Sequence, residues 1–398
     1  MSDAEPVFWT VDELDELDFD PVLHGTLTRD RLGKIRYPYG TGDAWLAGKY
    51  ADVTKATSDA RFSRAGLLHE DVTRLAPNPI PLRDAVGFAD PPEHTKLRRS
   101  ASRAFTSKQI EARRPHSEAL ANHLIDEMVQ RGAPIDLMEH YYNPFALQGM
   151  SDLMGIPEAG RAQVAEWTTR IITASRAPEE SERAKQEIGA YIDGLVEQRH
   201  TQPQDDLLTH LVQGEKDGEL TREQLVAFAV LMQISGVNSV RLNSGTMAYI
   251  LLSRPQLWQR LVDEPQLLPQ AVEELLRWLP HRNATGQARI ALEDVELGGV
   301  TIHQGEAVHS SYLAANRDPA VFEHPDELDF DRQPNPHVAF GHGPHYCVGA
   351  TFARMETQTM LRTLLTRLPS LRLAVPASEV PWRVGELIRG PRALSVTW

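Results

Sequence analysis

The chain has 398 residues, 41% of them hydrophobic and 24% charged, which is the balance of a globular protein with a sizeable core. Its 55 acidic residues outnumber 41 basic ones, and the net charge of -14 disfavours a nucleic-acid or anionic-membrane surface, leaving small molecules or proteins as partners. A single cysteine excludes an internal disulfide, so the chain needs no oxidising compartment and a cytoplasmic location is expected.

The opening stretch MSDAEPVFWTVDELDELDFDPVL is acidic and lacks the basic region and apolar run of a signal peptide, so export by that route is not expected. Lys34 to Tyr50 holds two short β-like runs around a glycine-containing turn, which predicts a hairpin. From about Asp90 to Arg277 the pattern is helical, with polar breaks. The most apolar run, Leu225 to Met232, is followed by Gln233, Ser235, Asn238 and Arg241, short of the ~20 apolar residues that span a bilayer, so no membrane segment is expected. Thr221 with Gln224 reads as a capping box, and no proline intervenes before Pro255. One helix of roughly 32 residues, about 48 Å long, would fit there and cross a whole domain. Its middle, SGVNS, is either a kinked core segment with satisfied polar groups or a place where Gly236 makes room for a ligand. After Pro280 the chain turns to β signals, with a hairpin around Gly298 and Gly299 and a further turn at Gln304 and Gly305. No internal repeat or low-complexity linker is evident. The expected architecture is one domain over 1–398, mainly α with a smaller β portion, of the α+β kind.

The only cysteine, Cys347, lies in FGHGPHYCVGA, Phe340 to Ala350. Three readings compete for it. A structural thiol in a loop is the simplest. A zinc site would use His342, His345 and Cys347, but tetrahedral zinc usually takes two separated ligand pairs, and no second cysteine exists. A lone thiolate ligand to haem iron is the third, with glycines letting the backbone approach the porphyrin. That reading also requires cations for two propionates. His94 and Arg98, at i and i+4 in DPPEHTKLRR, then Arg289 and His345, are available for this.

These stretches resemble the bacterial cytochrome P-450 haem-thiolate family. FGHGPHYCVG is similar to its cysteine loop, EELLR to its ExxR pair, and DPPEHTKLRR, ARIALEDVELGGVTI and FEHPDELDFDR to further segments in the same order. The resemblance implies a triangular-prism fold with a long central helix over haem b. It implies Cys347 as metal ligand and proximal thiolate, Phe340 packed beside the sulfur, and His94, Arg98, Arg289 and His345 on the propionates. Glu274 and Arg277 would be a structural buried pair. Asn238 and Ser239 occupy the catalytic positions where the family usually carries an acid and a threonine. An amide cannot cycle a proton as a carboxylate does, so Ser239 with ordered water, or a substrate hydroxyl, would have to serve.

FDPVL, VTRLAP, LLRWLPHRNATG, SYLAANRDP and LIRGPRALSVTW are more closely similar to the biflaviolin synthase-type actinobacterial subfamily, whose members couple phenols oxidatively. The positions matching its substrate-holding basic residues are Arg64, His281 and Arg282. The implied function is oxidative C–C or C–O coupling of aromatic phenols in secondary metabolism. The alternatives are cross-linking of aromatic side chains in a small peptide, hydroxylation of a polyketide-type substrate, or a non-catalytic haem sensor. Electrons would come from a ferredoxin and ferredoxin reductase, docking at the basic helix Lys96 to Arg103, with O2 as co-substrate and no nucleic acid or membrane involved.

Overall fold

The computed structural model describes residues 5–10, 14, 16–75, 84–173, 178–280, 288–383 and 388–398. The expected long helix is present and unbroken from Arg222 to Leu252, 31 residues, and the reciprocal Thr221–Gln224 capping box closes its N-terminus. Its apolar residues lie on every side rather than along one stripe, which is the pattern of a helix enclosed by others. The helices Asn143–Met154, Pro178–Thr201 and Ala350–Arg367 pack against it. By length and composition this helix could cross a membrane. The apolar run Leu225 to Met232 is therefore not its full extent, since Thr246 to Leu252 is continuously buried as well.

The β portion is small. A six-stranded sheet runs in the order Val7–Phe8, Gly33–Arg36, Ala44–Ala47, Ala307–Ser310, Arg289–Ala291, Phe62–Ser63. The predicted hairpin at Lys34 to Tyr50 forms its antiparallel pair, with Lys34 opposite Trp45. Ala44–Ala47 then pairs in parallel with Ala307–Ser310, and both strands are wholly buried, the polar His309 and Ser310 included. The second predicted hairpin joins Val295–Leu297 to Val300–Ile302. Gly298 and Gly299 turn it at φ of 51° and 76°, left-handed conformations that glycine adopts without penalty. A three-stranded sheet ties Ile135–Asp136 to Arg372–Leu373 and Ser395–Thr397.

Between the last large-sheet strand and the cysteine loop the chain has little regular structure, and a buried ion pair organises it. Glu274 and Arg277 sit one turn apart on the helix Leu268–Trp278, both side chains fully buried, joined at 2.7 and 2.8 Å. Arg277 also donates to the carbonyls of Asn316, Pro325 and Glu327. Glu274 accepts in addition from the Asp329 N–H, from Arg332 and from Asn335. Desolvation of both charges is offset by these bonds, so removing one partner leaves the other buried without compensation. Glu274→Ala is expected to cost about 3–5 kcal/mol in urea unfolding of the whole chain. A loss below about 1 kcal/mol would show that the segment holds itself together without the pair.

Candidate active site

The loop Phe340–Gly349 doubles back tightly. Cys347 N–H donates to the Phe340 carbonyl at 2.8 Å, with Gly341 and Gly343 at φ of 81° and 71°. A Cβ on Gly343 would collide with the Thr57 carbonyl, so glycine lets the loop lie against the helix Tyr50–Ser58. Gly349 then starts the helix Ala350–Arg367. Cys347 is exposed at the tip of this arrangement.

Five basic residues from distant segments meet beside the loop. The rings of His94 and His345 lie 4.3 Å apart. Burial, then the charges of Arg64, His94, Arg289 and Arg98, push His345 down to about 2, so its imidazole is neutral. Burial and Arg98 lower His94 in the same sense. Burial lowers Arg98, with Cys347 and Tyr346 acting in the opposite direction. His94 Nε2 and Arg289 Nη2 are buried with no hydrogen-bond partner among the described residues. The acid beside His94, Asp90, is already engaged by the Ser63 hydroxyl and by the backbone N–H groups of Arg64 and Ala65. Unused buried donors beside converging cations fit an anionic ligand, and the two carboxylates of a haem satisfy that demand. Arg64, expected at the substrate, is placed in this same charged group, 5.7 Å from the Phe88 ring. His281 and Arg282 lie outside the described residues.

In the middle of the long helix Ser235 is exposed and Gly236 and Ser239 are half-buried, so this stretch faces open space within a helix that is otherwise largely enclosed. Gly236 does not make room for a ligand on its Cβ side: a Cβ there would collide with the Met150 side chain, so the glycine admits Met150. Asn238 is buried, and both its polar atoms are bonded. Its Nδ2 donates to the Ile234 carbonyl at 2.9 Å, and its Oδ1 accepts from Arg241 Nη2 at 2.6 Å and Nε at 3.0 Å. Arg241 also donates to Asn143 Oδ1 at 3.1 Å. The amide thus holds a guanidinium between two helices.

Glu356 escaped the sequence reading. It lies on the buried stripe Phe352, Met355, Thr359, Met360 and Thr363, where a carboxyl is out of place, and that is the only signal the sequence offers. It is 1% exposed, packs on Gly149, and its Oε1 has no partner among the described residues. Burial, then the charge of Asp152, hold it well above the usual carboxylate range. The adjacent Thr357 meets Ser244 of the long helix at 3.0 Å.

Residues 132–371 match the cytochrome P450 family model. The chain belongs to the cytochrome P450 family. It is 44% identical to biflaviolin synthase of Streptomyces coelicolor, over 98% of this chain and 96% of that protein. It is 37% identical to the mycinamicin IV hydroxylase/epoxidase of Micromonospora griseorubida over the full length of both. The crystal structure of a cytochrome P450 with biaryl coupling reactivity superposes with a TM-score of 0.94, 40% identity, and coverage of 98% of this chain and 99% of that one. The P450 family therefore fits the observed architecture, as expected from the motifs. The chain is a haem b oxidoreductase of the monooxygenase class, of the kind that serves bacterial secondary metabolism, and it takes electrons from a redox partner.

The state of Glu356 has a measurable consequence. Below the ordinary Glu value of 4.5, folded and unfolded chains both carry the proton and the residue costs nothing. As pH rises, the unfolded chain ionises first, and stability falls by about 1.4 kcal/mol per pH unit until the folded carboxyl ionises too. Glu356→Gln removes this slope. Urea midpoints of the variant and parent are expected to diverge in the variant's favour from pH 5 to pH 8; parallel curves would mean that Glu356 is ionised in the fold.

Proposed function

We propose that Cys347 is the thiolate ligand of the haem, that His94, Arg98, Arg289 and His345 hold its propionates with Phe340 packed beside the sulfur, and that the protein couples aromatic phenols oxidatively. Haem, when bound, supplies oxidation by O2. The observation that carries the coupling reading is the state of the long helix. Asn238 stands where an ionisable acid would deliver protons, and its two polar atoms are committed to Ile234 and Arg241. Ser239 is left as the hydroxyl facing the open side. A phenol brings its own hydroxyl to such a site, so it suits this helix better than an alkane carbon does. The named reactivities of biflaviolin synthase and of the biaryl-coupling P450 support the same reading.

The balance of the reaction is two aromatic C–H or O–H bonds broken and one C–C or C–O bond formed. Two aromatic molecules with O2, two electrons and two protons give the coupled product and two waters. The contribution of the chain is orientation: two rings must be held with their reacting atoms in contact. Incubation with naphthol-type phenols and with tyrosine-containing short peptides, in the presence of a redox partner system, is expected to give products two hydrogens lighter than the sum of the joined rings. A product that gains one oxygen would replace coupling by hydroxylation, the chemistry named for the mycinamicin enzyme. Coupling within peptides rather than free phenols would move the substrate class to peptide cross-linking.

Ferredoxin is the proposed donor, acting in a cytoplasmic setting, and the exposed side chains of Lys96 and Arg99 on the helix Glu93–Ser102 are its proposed docking cations. Arg103 differs from them. It is bonded to Glu219 at 2.8 Å and lies 3.5 Å from Asp217, so its charge is already answered within the chain. Arg99→Gln is expected to slow reduction by a ferredoxin several-fold and to flatten the dependence on salt, whereas Arg103→Gln changes the salt dependence little. Equal effects at the two positions would place the docking surface elsewhere.

A further inference from the structure

The two ends of the cysteine loop touch one guanidinium. Arg354, a turn into the helix that follows the loop, lies with its guanidinium carbon 4.3 Å from the centre of the Phe340 ring, and Nη1 donates to the Tyr346 hydroxyl at 3.1 Å. Phe340 accepts the Cys347 N–H through its carbonyl, and Tyr346 immediately precedes the cysteine. Glu273 grips Arg354 through two bonds of 2.7 Å. Glu273 neighbours the buried Glu274 but faces the opposite partner, so adjacent residues of one helix hold the segment before the loop and the helix after it.

The charge of this cluster can be counted. His337 Nε2 lies 3.0 Å from Glu273, and His337 Nδ1 accepts the Ala339 N–H at 3.3 Å. Nε2 is thus the ring nitrogen that donates to Glu273. Burial raises the Glu273 carboxyl, but the bonds from His337 and Arg354 and the charges of Arg354 and His337 outweigh it and bring the group down to about 2. Arg354 and Glu273 oppose one cation to one anion, both only partly exposed, with side-chain accessibilities of 27% and 30%. A net charge appearing here would be felt at the sulfur with incomplete screening.

We infer that Glu273 and Arg354 form a charge-neutral positioning pair that sets the reduction potential of the site at Cys347 through Phe340 and Tyr346. Reduction adds an electron to the site, so a nearby surplus cation favours it and a surplus anion opposes it. Glu273→Gln leaves Arg354 uncompensated, and Arg354→Gln leaves Glu273 uncompensated. The pair acts irrespective of which aromatic compound is the substrate.

The experiment is a spectroelectrochemical titration of the haem-loaded protein, with the ferrous carbon monoxide spectrum as the check that the thiolate ligand is retained. Glu273→Gln is expected to raise the midpoint and Arg354→Gln to lower it. Each should change the ferrous-to-ferric ratio at fixed potential by about threefold or more, equivalent to about 28 mV at 59 mV per tenfold. The double variant Glu273→Gln/Arg354→Gln restores neutrality and is expected to return towards the parent value. A purely structural clamp would move both single variants the same way and would not be rescued in the double variant; either result overturns the inference. Should Arg354→Gln fail to bind haem, Glu273→Gln and Arg354→Lys decide: the first is expected to shift upward, the second, which keeps the charge, to stay near the parent. An unshifted Glu273→Gln also overturns it.

Discussion

A carboxylate fully removed from water must find its hydrogen bonds inside the protein, and the consequences of that requirement at Glu274 reach as far as the cysteine loop. Its oxygens are met by Arg277, Arg332, Asn335 and the backbone of Asp329, and Arg277 carries the network on to carbonyls between Asn316 and Glu327. That stretch has few backbone ladders to hold it. Asn316 in turn accepts the N–H of Val338, two residues before Phe340. The position of the cysteine loop thus depends, through a short chain of bonds, on one charge that cannot be solvated.

The cations next to the loop are handled in the opposite manner. Around Glu274 every charge is met, while around His345 positive groups converge and buried donors on His94 and Arg289 remain unused by the described residues. A protein tolerates such a cluster where a ligand completes it. His345 pays for its surroundings by staying neutral, which lets it donate a hydrogen bond without adding a further charge. The chain brings these residues together from a loop, a helix, a buried strand and the cysteine loop itself, so the cluster cannot form until the large sheet and the helix Glu93–Ser102 have both packed.

On the other side, the long helix separates two ways of burying polar groups. Asn238 is neutral at every pH and spends its amide on Arg241 and the helix backbone, fastening Asn143 into the same junction. Glu356, on the helix after the cysteine loop, is a titratable group with an unused oxygen. Whatever proton traffic the site needs cannot run through the amide. Under the coupling reading that role falls to hydroxyls such as Ser239 or the substrate's own.

Much was legible in the sequence because it depends on neighbours along the chain. The capping box at Thr221, the glycine turn at Gly298 and Gly299, the ExxR spacing and the glycines around Cys347 are local signals, and each specifies a backbone conformation within a few residues. The membership of His94, Arg98, Arg289 and His345 in one candidate site was legible only by resemblance, since their separations along the chain carry no distance information. Four residues were decided by tertiary packing. Gly236 proved to be the seat of Met150, because a missing Cβ does not say which neighbour fills the space. Asn238 proved to be bound to Arg241, and Arg103 to Asp217 and Glu219, because a side chain's letter does not reveal whether its polar atoms are already used. Glu356 is held above the usual carboxylate range only because the fold buries it against Gly149: the sequence determines which groups can ionise, while the fold, by removing water and supplying or withholding partners, shifts where they do.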